Sequence, residues 1–149
     1  MDADLRLLDV TGDGVPEILF NSGSQGASEG IIAEHVLRYE SSIGTFKDIS
    51  LDAFYNSSRN GFAWLTVGKQ AFGIVAKENW DPSVPIEERC HYCLSPFGYS
   101  IYVWSKQGRR FLLTERVLGK RSYSTSREAV AGDWPLIQSA VAGSGRTAH

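Results

Sequence analysis

Along most of this chain, apolar and polar residues alternate with a period of two, which is typical of half-buried β-strands. The strand-like runs come in pairs separated by short polar gaps that contain glycine, and such gaps favour hairpin turns. The predicted strands are Leu5–Val10, Glu17–Phe20, His35–Tyr39, Thr45–Ile49, Phe62–Val67, Ala71–Ala76, Tyr99–Trp104 and Arg110–Val117. The pattern therefore predicts an antiparallel meander of about eight short strands.

Helix signals are fewer than strand signals. The segment Asp52–Ser58 predicts about two helical turns. Near the end of the sequence, Asp133 can cap a helix with Pro135 in its first turn and Gly143 just past its last residue. The Gly- and Ser-rich segment Asn21–Gly30 is predicted to be a flexible surface loop. We predict a mainly β, or α+β, fold with one or two small helices, one of them C-terminal.

The length of 149 residues fits one domain. No linker rich in Pro or Ser divides the chain, so we predict a single domain over residues 1–143 and a mobile tail over residues 144–149. Hydrophobic residues make up 42% of the chain and charged residues 21%, which excludes disorder as its main state. No run approaches the roughly 18 apolar residues of a membrane span, so no membrane association is expected.

Charge is unevenly distributed, although the net charge of −2 gives no reason to expect a nucleic-acid partner. Residues 1–48 contain nine acids and three bases, whereas residues 106–127 contain seven bases and one acid. The basic segment can attract an acidic partner, and Arg109 and Arg110 are its candidate binding residues. The alternative, which we favour, is that these charges are solvated or paired within the fold.

The sequence DVTGDGVPE, residues 9–17, carries the pattern with the most specific chemistry. Calcium prefers oxygen ligands, and a tight loop with oxygens at alternate positions can wrap around one ion. The ligands at successive odd positions are the side chains of Asp9, Thr11 and Asp13, the carbonyl of Val15 and the side chain of Glu17. Gly14 stands at the sixth position, where the loop must turn sharply. Position twelve is Phe20, so this is not an EF-hand.

The stretch LRLLDVTGDGVPEILF resembles the calcium-loop motif of FG-GAP and VCBS repeats, the blade units of integrin α-subunit propellers. The resemblance implies a calcium ion held by Asp9, Thr11, Asp13, the carbonyl of Val15 and Glu17, and a structural role in supporting a binding surface. It covers about 16 residues and occurs once, whereas a full propeller needs at least four blades of about 40 residues. We therefore expect a small relative, not a complete propeller.

The same loop has a simpler interpretation. Thr-Gly-Asp-Gly between two apolar strands is a good hairpin turn without any metal. Thr11 stands where Asn or Asp is more usual in the repeat families, which favours weak affinity. Three carboxylates within nine residues favour calcium, because without a cation they repel each other.

The two cysteines, Cys90 and Cys93, form a C-x-x-C pair, which is half of a zinc site. A redox interpretation needs a long helix after the first cysteine, and Pro96 prevents one. We favour a short helical turn from Ser83–Pro85 onward, with the two thiols filling core. Because His91 lies between the two cysteines, a pocket in which a thiol is reactive remains an alternative.

We predict a non-enzymatic binding or structural module with a calcium-stabilised loop. The alternative is a small enzyme or inhibitor with a pocket near Cys90 and His91. A protein or carbohydrate partner would bind through exposed aromatic residues, of which Trp80 is the best candidate. Open sheet edges favour a homo-oligomer. Because calcium loops favour an extracellular setting, we expect a secreted or periplasmic location if the chain is an excised mature domain. Otherwise we expect the cytoplasm, since the first residues lack signal-peptide features and the chain has a lone thiol pair.

Overall fold

The computed structural model describes residues 5–24, 31–50, 54–57, 61–79, 83–88 and 93–147. Within these residues the protein is mainly β, with every strand pair antiparallel and two helices at the C-terminal end. The strands are β1 Arg6–Leu8, β2 Glu17–Ser24, β3 Ile31–Glu40, β4 Thr45–Asp48, β5 Tyr55–Ser57, β6 Gly61–Val67, β7 Gln70–Glu78, β8 Ser95–Ser105 and β9 Arg110–Tyr123. The helices are α1 Ser126–Gly132 and α2 Trp134–Thr147. The predicted fold class is confirmed.

The strands form two sheets. The first has the order β1-β2-β3-β4, with β5 also pairing with β3, and the second is a β6-β7-β8-β9 meander. The predicted hairpins pair as expected: Tyr39 lies opposite Phe46, and Trp104 lies opposite Phe111. The described strands form two open sheets and no propeller.

The second sheet is the middle layer of the molecule. Residues Ala71–Ala76 of β7 are all buried, as expected for a strand covered on both faces, whose sequence is a continuous apolar run. One face packs under the helices, where Phe72, Ile74, Ile137 and Val141 belong to one hydrophobic cluster. The period-two alternation fails in this strand because both faces are covered.

The other face of the second sheet packs against the first sheet. Phe54, which precedes β5, is 1% exposed and lies at the centre of this interface. Its ring meets Phe62, Tyr102 and Phe111 with centroids 6.2, 5.7 and 5.5 Å apart. Tilted and edge-on contacts of this kind are preferred by aromatic pairs. The interface is therefore held by a cluster of aromatic rings.

A carboxylate is buried in the same interface. Glu34 of β3 is 1% exposed, and its Oε1 accepts hydrogen bonds from Arg6 (2.6 Å) and from the indole N–H of Trp64 (2.9 Å). Burial raises the pKa of Glu34 above its ordinary value, and the Trp64 and Arg6 contacts only partly oppose that rise. Glu34 thus ties the first sheet to β6 of the second at a desolvation cost.

Three expectations about local structure are wrong. Tyr55–Ser57 is strand β5 and not part of a helix, since it pairs with β3. The proposed loop Asn21–Gly30 begins as strand, because β2 continues to Ser24 along β3, while residues 25–30 lie outside the described part. Helix α2 does not end before Gly143 but runs to Thr147, because Val141 and Ser144 are buried in its last turns.

Helix α1 was not predicted, although its start carries a capping signal. The Thr125 side chain accepts a hydrogen bond from the backbone N–H of Glu128 at 3.2 Å, the Thr-x-x-Glu arrangement of a helix N-terminus. At the junction with α2, Asp133 accepts hydrogen bonds from the hydroxyls of Tyr99 (2.6 Å) and Tyr123 (3.0 Å). These bonds fasten the two helices to β8 and β9.

No helix among the described residues is both long enough and apolar enough to span a membrane.

Candidate metal centre

The loop between β1 and β2 turns sharply because two of its glycines are left-handed. Gly12 has a φ of 75° and Gly14 a φ of 87°, values at which any side chain is strained. Asp9 begins the loop, and its two carboxylate oxygens accept hydrogen bonds from the backbone N–H groups of Gly12 (2.7 Å) and Gly14 (2.8 Å). The loop is therefore folded around the side chain of Asp9.

Three carboxylates of this loop converge. One oxygen each of Asp9, Asp13 and Glu17 lies within 4.8 Å of the others. Two oxygens that bind one calcium ion at about 2.3–2.6 Å are at most ~5 Å apart, so this spacing fits ligands of a single ion. Each carboxylate has about four lone-pair sites, so hydrogen bonds already made leave capacity for a cation. The acidic triad can hold a metal ion.

Glu17 is the buried member of the triad, with 2% exposure. Its carboxylate accepts hydrogen bonds from the Val10 N–H (2.8 Å), the Thr11 N–H (3.4 Å) and the Thr11 hydroxyl (2.9 Å). Burial raises the pKa of Glu17 above its ordinary value, although these hydrogen bonds act in the opposite direction. A metal ion would favour the ionised form that burial disfavours.

The two remaining predicted ligands support the triad. Thr11 is buried, and its hydroxyl is directed at Glu17. The backbone N–H of Val15 donates to Asp13 Oδ1 at 2.9 Å, while the Val15 side chain is exposed. These hydrogen bonds orient Glu17 and Asp13 respectively.

Two basic side chains also reach the loop. Arg38 of β3 donates to Asp13 Oδ2 at 3.0 Å, and its guanidinium lies 6.0 Å from the centroid of the Trp104 ring. Lys106 Nζ donates to the carbonyl of Gly12 at 3.3 Å. Arg38 was not predicted as a site residue, although a period of two places it on the same face of β3 as buried Val36, where a charge needs a partner. Arg38 and a metal ion would share Asp13.

A pocket of about 280 Å³ opens beside the loop, between the two sheets. The loop forms one wall, and the β6–β7 turn and the end of β8 form the others. Its lining residues include Lys69, Gln70, Trp104 and Lys106. The pocket is thus bordered by two basic residues and one aromatic residue.

The predicted site around the C-x-x-C pair is not supported by the described residues. Cys93 is disulfide-bonded, and it is exposed together with Leu94, which is 66% exposed. The expectation that the Cys93 thiol and Leu94 fill the core is therefore wrong. The predicted short helical turn is present as a 3-10 turn at Ile86–Glu88. Cys90 and His91 lie outside the described residues.

The two candidate binding residues of the basic segment, Arg109 and Arg110, do not join the loop. Arg109 pairs with Glu40 at 3.2 Å, which links the basic segment to the acidic half of the chain. Arg110 is exposed at the start of β9. Trp80 lies outside the described residues.

Comparison with known proteins gives a similarity in fold. No family model and no curated protein matches the chain. Its structure is similar to the crystal structure of a protein named CarG, with a TM-score of 0.64, 11% sequence identity, and coverage of 88% of this chain and 91% of that chain. At this identity the similarity concerns the fold alone.

Proposed function

We propose that this protein is a binding module whose β1–β2 loop is stabilised by calcium. The observation that carries the proposal is the convergence of Asp9, Asp13 and Glu17 within 4.8 Å. The resemblance of residues 5–20 to the calcium loops of FG-GAP and VCBS repeats supports the same ion. In that interpretation the metal fixes the loop, and the loop supports a binding surface.

Calcium suits this loop better than magnesium or a transition metal. All of its side-chain donors are oxygens, which select hard cations. The donors come from a short loop that contains exposed Asp13 and buried Glu17, and calcium tolerates irregular coordination at 6–8 oxygens, whereas magnesium demands near-octahedral geometry. Water molecules would complete the coordination on the exposed side.

The pocket beside the loop is the binding surface that calcium would support. Val10, Thr11 and Gly12 line the pocket and directly precede Asp13, so a fixed loop means a fixed pocket wall. Two basic residues, Lys69 and Lys106, and the aromatic Trp104 are among the residues that line it. The ligand class that fits these groups is a small organic anion with an apolar or ring-shaped body.

The disulfide supports a location outside the cytoplasm. Disulfides form and persist in oxidising compartments, and Cys93 is disulfide-bonded. Extracellular fluid also contains calcium at the millimolar level at which weak loops of this kind bind. We therefore propose that the protein acts in a secreted or periplasmic setting.

Thermal melting tests the calcium proposal. A ligand that binds only the folded state raises the melting temperature once its concentration exceeds Kd, by about 2.7 kcal/mol of stability at 100 times Kd. We expect a rise with millimolar calcium after EDTA treatment, a smaller rise with magnesium, and no rise for Asp13→Asn. The control is Glu88→Gln, which removes an exposed acid far along the chain from the loop and should keep the full rise.

A loop that binds no calcium would give a different melting result. If the wild-type melting temperature does not change up to millimolar calcium, or if Asp13→Asn keeps the rise, the loop is a metal-free turn. Its carboxylates would then be balanced by Arg38 and Lys106 alone.

A further inference from the structure

A serine, a histidine and an aspartate meet on the outer face of the first sheet, away from the calcium loop. They come from three neighbouring strands: Ser22 from β2, His35 from β3 and Asp48 from β4. Phe20 lies opposite His35, and Leu37 lies opposite Asp48. Because side chains two residues apart share one face of a sheet, the pairing places all three on the same side as diagonal neighbours.

The three side chains are hydrogen-bonded in series. Ser22 Oγ lies 2.6 Å from His35 Nε2, and His35 Nδ1 lies 2.8 Å from Asp48 Oδ2. Burial alone would raise the pKa of Asp48, but hydrogen bonds from Ser50 and His35 outweigh it and lower that pKa. An ionised carboxylate only accepts, so Nδ1 donates to Asp48, and in the tautomer that carries its proton on Nδ1 the Nε2 atom is the acceptor for the Ser22 hydroxyl.

The surroundings hold this arrangement in place and leave it reachable. The His35 ring stacks on Phe20 with centroids 4.8 Å apart and an interplanar angle of 19°. Asp48 Oδ1 accepts hydrogen bonds from the backbone N–H and the hydroxyl of Ser50. Ser22 is exposed, and the His35 side chain is 17% exposed. The nucleophile therefore faces solvent while its base is fixed on a rigid strand.

We propose that Ser22 is an activated nucleophile that hydrolyses esters, with His35 as general base and Asp48 as the residue that orients His35. This order of roles is the logic of Ser-His-Asp sites, which is defined by geometry and not by fold. The proposal is independent of the calcium loop. Ile18, Phe20 and Leu37 lie on the same face, so the fitting substrates are esters with a short apolar acyl group.

The proposed reaction is a two-step hydrolysis. The Ser22 oxygen forms a bond to the ester carbonyl carbon as its proton moves to His35 Nε2. The carbon–oxygen bond to the alcohol then breaks, and the alcohol leaves with that proton. Water then bonds to the acyl carbon as His35 takes its proton, the bond between that carbon and Ser22 Oγ breaks, and the acid leaves as the proton returns to Oγ. The net change is ester plus water to acid plus alcohol, and no redox partner is needed.

Labelling with a fluorophosphonate tests this proposal, because the reagent forms a stable bond with an activated serine. We expect a mass increase of one label per chain, mapped to the peptide that contains Ser22. General-base catalysis contributes about 10²–10⁴-fold, so His35→Gln should slow the labelling rate by roughly 100-fold or more. Asp48→Asn should slow it as well, and Ser22→Ala should abolish it.

The control is Ser41→Ala, which changes an exposed serine in the turn after β3 and should leave labelling unchanged. Circular dichroism melting of each variant shows whether it is folded. If His35→Gln does not fold, Asp48→Asn tests the role of the hydrogen-bonded series in its place. p-Nitrophenyl butyrate hydrolysis should follow the same order as labelling. If the folded wild type is not labelled at Ser22, or if His35→Gln and Asp48→Asn are both labelled at its rate, the three side chains form a structural network and the proposal is overturned.

Discussion

The two sheets of this protein differ in how many of their faces are covered. The second sheet lies between the helices and the first sheet, and its strand β7 is buried over six consecutive residues, Ala71–Ala76. Among the described residues, one face of the first sheet packs against the second sheet, and all four residues of its strand β4 are exposed. The acidic triad and the series of Ser22, His35 and Asp48 lie in the first sheet and its β1–β2 loop, and the second sheet adds Lys69, Trp104 and Lys106 to the pocket beside that loop.

Buried charge follows the same division. Among the described strand residues, the buried carboxylates are Glu17 and Glu34, and both belong to the first sheet. Glu17 supports the β1–β2 loop, and Glu34 meets Trp64 of the second sheet. Each has a raised pKa because of burial. The second sheet therefore stabilises the fold through apolar packing. The first sheet carries buried carboxylates, and their desolvation lowers the stability of the folded state.

The strongest test of this contrast is a pair of truncations. Ile74→Ala removes a 1%-exposed side chain from the layer under the helices and should cost about 2–5 kcal/mol. Leu7→Ala shortens a side chain that is 65% exposed on the first sheet and should change stability by less than about 0.5 kcal/mol. Urea unfolding of both variants measures the difference. A large loss for Leu7→Ala would show that a second molecule covers this face in solution, as in a homo-oligomer.

A smaller effect is expected at Glu34, and it depends on pH. The folded-state pKa of Glu34 is raised, so its contribution to stability is fully present below the unfolded pKa and is lost as pH rises through the folded pKa. Glu34→Gln keeps an acceptor for Arg6 and Trp64 without a titrating group. We expect the stability of the wild type relative to Glu34→Gln to fall as pH rises from about 4 to neutrality.

Chemical unfolding of both proteins across this pH range checks the prediction at Glu34. The comparison removes the contributions of Glu17 and Asp48, which both proteins share. A relative stability that rises with pH would mean that the Arg6 ion pair outweighs the desolvation of Glu34.

Local patterns were sufficient to predict most of the strands. The β3–β4 and β8–β9 hairpins could be predicted from apolar–polar alternation and from the turn residues between the strands. Both signals come from residues that are close along the chain. The Asp9–Glu17 loop could be predicted for the same reason, since its ligands fall within nine residues. Only the coarse part of that prediction, an acidic triad able to hold a metal ion, is confirmed.

The remaining errors come from contacts between distant segments. Tyr55–Ser57 became a strand because β3 offered it a pairing edge, which no local propensity reveals. Ser22 and Asp48 each lie 13 residues from His35 in sequence, and only the register of β2, β3 and β4 brings the three together. A pairing diagram of the predicted hairpins could have placed His35 beside Asp48, but the extension of β2 to Ser22 could not be read from its Gly- and Ser-rich sequence.

The smallest expected effect concerns a contact that joins the two sheets at their surface. Arg109 is the one non-glycine residue with positive φ, 50°, in the described part of the chain, and it pairs with Glu40 of the first sheet at 3.2 Å. Exposed ion pairs contribute about 0–1 kcal/mol, and a left-handed backbone costs a non-glycine residue roughly 1–2 kcal/mol. We therefore expect Arg109→Gly to be at least as stable as the wild type.

Arg109→Ala separates the two contributions at this turn. It removes the pair with Glu40 and keeps the strained backbone, so it should be destabilised by less than about 1 kcal/mol, and the loss should shrink at high salt. Thermal melting of wild type, Arg109→Ala and Arg109→Gly at two salt concentrations gives the order. If both variants lose the same stability at low salt, the link between the sheets matters more than the backbone conformation. The first sheet would then depend on the second for more than the aromatic cluster around Phe54.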